Sequence, residues 1–438
     1  MTVREIALKL LLELESEGKY ANLSLSSSAV RALDERERSW LTVLFYTTVE
    51  HKLTYDYIIS SLAKREIDKI DIITKNILRL GMCQVLHISS VPDFAAVSET
   101  VALARHKGER SFINGVLRSL VRAKEKGEVP MPPREKNVAR YLSVKYSYPL
   151  WLVRHFISLF GEIECEKILT VFNTERYTDI TVNTTKISTD GLLSELEKQG
   201  SVASLSSRVP ISVRLRGSID PRAIRGFDEG LFFVQDEACA VAVSVLDIKE
   251  GMSVLDACSA PGGKSFSLAI LCKDKCIIYA SDIHESKLSL IENGRERLGL
   301  KSVKACLRDA SVSLPEEYEK YDRVLCDVPC SGLGVIGKKP DLRYRTEEAL
   351  SNLPPLQYSI LEASARTLKK GGILVYSTCT LNPCENEEVV DKFLLEHPDF
   401  SAVDFEVGDI KSNMGRVTLL PHIHKTDGFF IAKLRKEK

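Results

Sequence analysis

The apolar pair Val254-Leu255 runs into Asp256, and the chain then passes through Ala257-Cys258-Ser259-Ala260-Pro261-Gly262-Gly263-Lys264 into a helical pattern. Strand, tight glycine turn and helix in that order bring the backbone N–H groups of a helix start close to a ligand at the carboxyl edge of a parallel sheet. The alternation continues to the end of the chain. Strands are expected near 254–257, 277–282, 303–307, 323–327, 373–377 and 428–434, with helices between most of them. Residues 231–438 therefore read as a Rossmann-like α/β domain whose parallel sheet is covered on both faces.

The turn excludes two common ligand loops. A phosphate-binding Walker loop needs glycine where Cys258 stands, and the Gly-x-Gly-x-x-Gly of a dinucleotide fold is absent. Pro261 followed by two glycines suits a single nucleoside. Asp282 ends the next strand, about twenty residues on, where a carboxylate takes ribose hydroxyls. Asp309 follows the third strand and Asp327 ends the fourth, so acids line one rim and suit a ligand that carries positive charge. The fourth strand continues into Pro329-Cys330-Ser331-Gly332-Leu333-Gly334 and the fifth into Thr378-Cys379-Thr380. Two thiols on the rim of a nucleoside pocket suggest a nucleophile that forms a covalent bond and a neighbour that helps to break it.

With 438 residues the chain exceeds one core and predicts about three domains. Residues 1–124 read as helical throughout, beginning with an amphipathic segment that mixes Arg4, Glu5, Lys9, Glu13 and Glu15 with leucines, unlike a signal peptide. Residues 124–136 hold three prolines and seven charges, a linker composition that sets a boundary at 125–140. Residues 141–230 read as a small α+β domain. Its strand 211–216 turns Ile211, Val213 and Leu215 to one side, and Arg214 and Arg216 to the other, a face suited to meeting phosphates.

No stretch has the apolar length of a membrane span. The odd number of cysteines, 11, without framework spacing, indicates reduced thiols and a cytoplasmic protein. Cys272 with Cys276 and Cys326 with Cys330 lack His or Cys partners at ligand spacing, so no metal is expected. Net charge is zero, but residues 101–150 carry eleven Lys or Arg against four acids. Further basic clusters lie at Arg208, Arg214, Arg216, Arg222 and Arg225, and at Lys338, Lys339, Arg343 and Arg345. Three such clusters flanking one candidate site point to nucleic acid.

Segments 256–265, 327–334 and 376–387 resemble the motifs of the RNA 5-methylcytosine methyltransferases of the NOL/NOP2/Sun group. Residues 1–124, including Phe112-Ile113-Asn114-Gly115-Val116-Leu117-Arg118, are similar to a NusB-like RNA-binding domain, and Ser147-Tyr148-Pro149-Leu150-Trp151-Leu152 resembles the start of that group's small RNA-binding domain. The combination looks like the bacterial Sun/RsmB type. The resemblance implies a class I methyltransferase fold, S-adenosyl-L-methionine as cofactor and a cytosine of small-subunit (16S) ribosomal RNA as substrate, methylated at C5. It implies that Cys258, Ser259, Ala260, Pro261, Gly262, Gly263, Lys264, Asp282, Asp309 and Asp327 contact the cofactor, that Cys379 is the nucleophile, and that Cys330 assists release. Asp327 is further expected to hydrogen-bond the base near N3, and the protein to act as a monomer. The same reaction on transfer RNA, and a non-catalytic RNA-binding or antitermination factor, are the alternatives.

Overall fold

The computed structural model describes residues 1–17, 28–174, 177–217 and 220–437. Two compact units divide the chain, one made of residues 1–173 with 336–347, the other of 174–335 with 348–438. No helix among the described residues is long and apolar enough to cross a membrane.

The first unit is helical, with α1 (Val3–Glu17), α2 (Glu35–Glu50), α3 (Lys52–Ala63), α4 (Ile72–His87), α5 (Asp93–Val101), α6 (Lys107–Lys126), α7 (Val138–Tyr146) and α8 (Leu150–Thr174). Residues 18–27, inside the stretch expected to be helical, lie outside the described residues. Local chemistry sets the ends. Asp34 accepts from Glu37 N–H while the Glu37 carboxylate accepts from Asp34 N–H, a capping box at the start of α2. Asp71 caps α4, and Gly127 at φ 71° ends α6. Around α4 the core closes on Ile77, Leu78, Leu80, Met82 and Cys83, all fully buried.

Leu142, Val144 and Tyr146 of α7 are buried, and α7 and most of α8 group with the helices before them, so the two compact units divide after Asn173. Arg343 corrects one expectation. It is 1% exposed, donates to the backbone carbonyls of Ile336 and Glu50, and lies 4.2 Å over the Tyr148 ring. This cation is spent inside the helical unit and is not part of a basic surface.

The second unit begins with a four-stranded antiparallel sheet in the order β2-β3-β1-β4, built from β1 (Tyr177–Val182), β2 (Ala203–Leu205), β3 (Ser212–Arg216) and β4 (Phe232–Val234), with α9 (Thr189–Lys198) following β1. Val213 and Leu215 face its core as expected. Arg214 does not face outward to phosphate, because the β1–β3 register sets it opposite Asp179. Its guanidinium donates to both Asp179 oxygens at 2.7 and 2.9 Å, a cross-strand ion pair.

After α10 (Glu237–Val245) come β5 (Ser253–Asp256), α11 (Gly263–Leu271), β6 (Ile277–Asp282), α12 (Glu285–Leu298), β7 (Val303–Leu307), β8 (Tyr321–Asp327), α13 (Leu353–Arg366), β9 (Leu368–Thr378) and α14 (Glu387–Glu396). Then follow β10 (Phe400–Ala402), the hairpin β11 (Glu406–Val407) and β12 (Ile410–Lys411), β13 (Arg416–Leu419) and β14 (Phe429–Lys436). The large sheet runs β10-β14-β9-β8-β5-β6-β7. Strands β5 to β9 are parallel, whereas β14 pairs antiparallel with β9, β10 and β13. The sheet is thus mixed and not purely parallel. Only a short segment with the four-residue helix Pro421–His424 joins β13 to β14, too little for a crossover, so the chain returns antiparallel.

In the helical unit Arg79, 3% exposed, donates to both Asp56 oxygens and to Glu15 Oε1, each at 2.7 Å. Burial raises the Glu15 carboxyl, but Arg79 and Lys52 outweigh it and bring it down to about 2. A depressed folded value means that stability is present above the unfolded value near 4.3 and is lost as pH falls through 2. Glu15→Gln is expected to lower stability at pH 7 by about 1.5–3 kcal/mol, the loss shrinking as pH falls from about 4 and being nearly gone only below pH 2, as read from denaturant midpoints of the full chain.

Candidate active site

The turn after β5 is set by sterics. Gly262 has φ 109°, and a Cβ there would stand 2.5 Å from the Phe266 ring, so only glycine fits. Ser259 N–H donates to Ser281 O and Gly262 N–H to Ser259 O, each at 2.7 Å. Behind the turn Asp256 is fully buried. It accepts from the Ser265 hydroxyl at 2.6 Å, and its Oδ1 has no partner among the described residues. Burial pushes its carboxyl up to about 6. No side chain caps α11, whose first N–H groups follow Gly262 directly. Cys258 is half-buried, with its thiol raised well above the ordinary value by burial.

Parallel register brings the acids to one edge. Asp256 pairs with Ala280, Asp282 with Leu307, and Asp327 with Ser377. Asp282 is 8% exposed and accepts from His284 N–H at 2.9 Å. Asp309, two residues beyond β7, is exposed and folds its carboxylate onto the N–H and hydroxyl of Ser311. Asp327 is held on both oxygens, by Lys264 Nζ at 2.6 Å and by the Ser377 hydroxyl at 2.8 Å. Burial lowers the Lys264 ammonium, yet the charge of Asp327 more than offsets it and holds the group above its ordinary value.

Cys330 and Cys379, separated by 49 residues, bring their sulfur atoms to 3.0 Å. The contact to Cys379, then burial, raises the Cys330 thiol well above its ordinary value. Either sulfur can donate to the other across this contact. The loops are tied by a carboxylate absent from the expected set. Glu385, fully buried, accepts from Ser331 N–H at 2.8 Å, Gln357 Nε2 at 2.9 Å and Asn382 Nδ2 at 3.1 Å. Gln357 also donates to Pro329 O, and the hydroxyls of Ser331 and Thr380 meet at 2.6 Å. Gly334 N–H donates to Cys379 O while Gly428 N–H donates to Gly334 O, both at 2.9 Å. A Cβ on Gly334 would fall 1.9 Å from Gly428 O, so two glycines are required for that crossing.

Two groups of the expected residues thus come together, Lys264 with Asp327 and Cys330 with Cys379. Asp309 is engaged in its own turn, and Cys384 is exposed, with its S–H on Glu388. Glu385 and Ser377 lie within the quoted segment, but a glutamate at a helix start reads as an ordinary first-turn acid.

Three family models cover the chain, "16S rRNA methyltransferase RsmB/F" over residues 243–435, "NusB family" over 1–122, and "Methyltr_RsmF/B-like, ferredoxin-like domain" over 148–221. The chain is 36% identical to "Probable ribosomal RNA small subunit methyltransferase B" of Bacillus subtilis (strain 168), across 100% of this chain and 99% of that one. It is 34% identical to the protein of the same description from Synechocystis sp., across 100% of both. NSun6 from Pyrococcus horikoshii, solved with SFG, superposes with a TM-score of 0.60 at 27% identity, over 67% of this chain and 99% of that one.

Glu385→Ala would leave three buried donors without their acceptor. A loss of about 3 kcal/mol is expected, measured as a lower urea midpoint for the second unit; an unchanged midpoint would show that the carboxylate does not hold the two loops.

Proposed function

The chain belongs to the RsmB/F family of ribosomal RNA small subunit methyltransferases, and we propose that it methylates C5 of a cytosine in 16S ribosomal RNA, with S-adenosyl-L-methionine as donor, through a covalent bond between Cys379 and C6 of the base. The observation that carries this proposal is the 3.0 Å approach of Cys330 and Cys379 beside the Lys264–Asp327 pair. The NusB-like domain and the ferredoxin-like domain precede the methyltransferase domain, an order that favours ribosomal over transfer RNA.

The glycine turn fits the cofactor. Gly262, at φ 109°, turns the chain tightly into α11, whose uncapped start offers N–H donors. Cys258 to Lys264 would line it, with Asp282 at the ribose and Asp309 on the outer rim. Bound there, S-adenosylmethionine supplies an electrophilic methyl group on a positively charged sulfur.

Cytosine C5 is a poor nucleophile until a thiolate adds at C6. Cys379 supplies that thiolate, and the resulting enamine is nucleophilic at C5. Asp327, paired with Lys264, is an acceptor and suits the N3 edge of cytosine through the adjoining exocyclic amine. Lys264 carries the positive charge that balances electron density moving into the ring. After methylation the C5 proton passes to solvent, its C–H electron pair re-forms the C5–C6 double bond, and the C6–S pair leaves on Cys379 as a thiolate. The S–H of Cys330 donates to that departing sulfur. The base must be unpaired or flipped to reach the thiols.

The helical unit supports an RNA role through specific cations. Of the basic residues in 101–150, Arg105, Lys124, Arg134 and Lys145 are ion-paired within the unit. Lys107, Arg110, Arg118 and Arg122 instead line a groove of about 810 Å³ between α5 and α6, with Phe94 79% exposed beside them. Cations and an open aromatic ring suit single-stranded RNA.

Cys379→Ala is expected to abolish methylation of 16S RNA while cofactor affinity, measured by calorimetry, stays unchanged; near-normal turnover would reassign the nucleophile. Arg110→Gln, Arg118→Gln and Arg122→Gln combined should weaken RNA binding and lower its log-log salt slope by about 2, with cofactor affinity intact.

A further inference from the structure

Between β4 and α10 lies Gln235, 6% exposed. Its backbone N–H donates to Asp179 O at 3.0 Å, which fixes the main chain. Its side-chain Oε1 accepts from two hydroxyls, Thr181 at 2.9 Å and Ser267 at 2.5 Å. Both lengths fit O–H to oxygen, and the shorter is below the range for an amide nitrogen, so the oxygen is turned to the hydroxyls. The nitrogen faces the other way. Nε2 has no partner among the described residues, and a Cβ built on Gly263, the first residue of α11, would stand 3.6 Å from it.

A buried amide donor is rarely left unpaired unless a ligand completes it. The two hydroxyls leave Gln235 no freedom to turn its nitrogen elsewhere. Beside Nε2 is the start of a nine-residue helix without a side-chain cap, where N–H groups and the helix dipole favour an anion. An amide donor adds to that preference and accepts nothing. On the cofactor reading given above, the ligand at this turn has a neutral base and ribose, a positive sulfonium and a positive amine. Its only anion is the carboxylate of the amino-acid tail.

We infer that Gln235 is a further cofactor-binding residue, its Nε2 donating to that carboxylate and so setting which end of the cofactor lies against the start of α11. Glycine at 263 leaves the space between the two donors open. Thr181 and Ser267 act through Gln235 by holding its amide in the productive orientation.

The test compares two ligands by calorimetry on the full chain, S-adenosylhomocysteine, which has the carboxylate, and 5′-methylthioadenosine, which lacks it. Gln235→Glu keeps an oxygen for Thr181 and Ser267 but replaces the donor by a group that repels a carboxylate. Its affinity for S-adenosylhomocysteine should fall about tenfold or more, with 5′-methylthioadenosine unaffected. Gln235→Met, which removes the donor without adding charge, should weaken the same ligand only. Equal losses for both ligands, or no loss for either, would overturn the inference while leaving the cofactor site in place. Failure of the wild-type protein to bind either ligand would overturn the cofactor reading and this inference with it.

Discussion

Parallel strands β8 and β9 stay in register to their carboxyl ends, where Asp327 lies opposite Ser377, and the two loops that leave them are joined by the buried carboxylate of Glu385. Each strand alone would place a cysteine somewhere on the rim. Together they fix two sulfur atoms at 3.0 Å. That spacing suits two thiols with different roles, because a hydrogen bond between them favours one protonated and one ionised partner. On the proposed reading Cys379 is the ionised partner and Cys330 the protonated one.

Charge in the site is arranged by burial and pairing more than by net composition. Lys264 leaves the glycine turn and meets Asp327 at the end of β8, linking that turn to the strand that leads into the Cys330 loop. Asp256, fully buried behind the turn, is pushed up to about 6, and it anchors the turn through Ser265. The glycine turn and the two cysteine loops are therefore neighbours, joined through Lys264, Asp327 and Ser377.

Much of this was legible in the chain. The glycine turn, the parallel strands that follow it and the acids at their ends have short-range signals, because apolar runs and turn residues report local geometry. The placement of Cys330 and Cys379 on one rim follows from that alternation, whereas their 3.0 Å approach does not. It depends on Glu385, Gln357 and the crossing of Gly334 with Gly428, contacts between segments far apart in sequence. Long-range pairing also explains the misread charges. Arg214 met Asp179 through strand register, and Arg343 was drawn into the helical core by carbonyls and Tyr148; neither partner is adjacent in the chain. The antiparallel β14 turned on a connection too short for a crossover, which apolar patterning does not report.

The central claim is the division of labour between the two thiols, and the covalent intermediate reads it most directly. Cys330→Ala protein is incubated with 16S RNA and S-adenosylmethionine, denatured without reductant and with it, and the RNA-bound peptide is mapped by mass spectrometry. The account predicts an adduct that resists reductant, carries a methylated cytosine and maps to Cys379, and that disappears in the Cys330→Ala, Cys379→Ala double variant. An adduct formed by Cys379→Ala and mapped to Cys330 would contradict it and exchange the two roles.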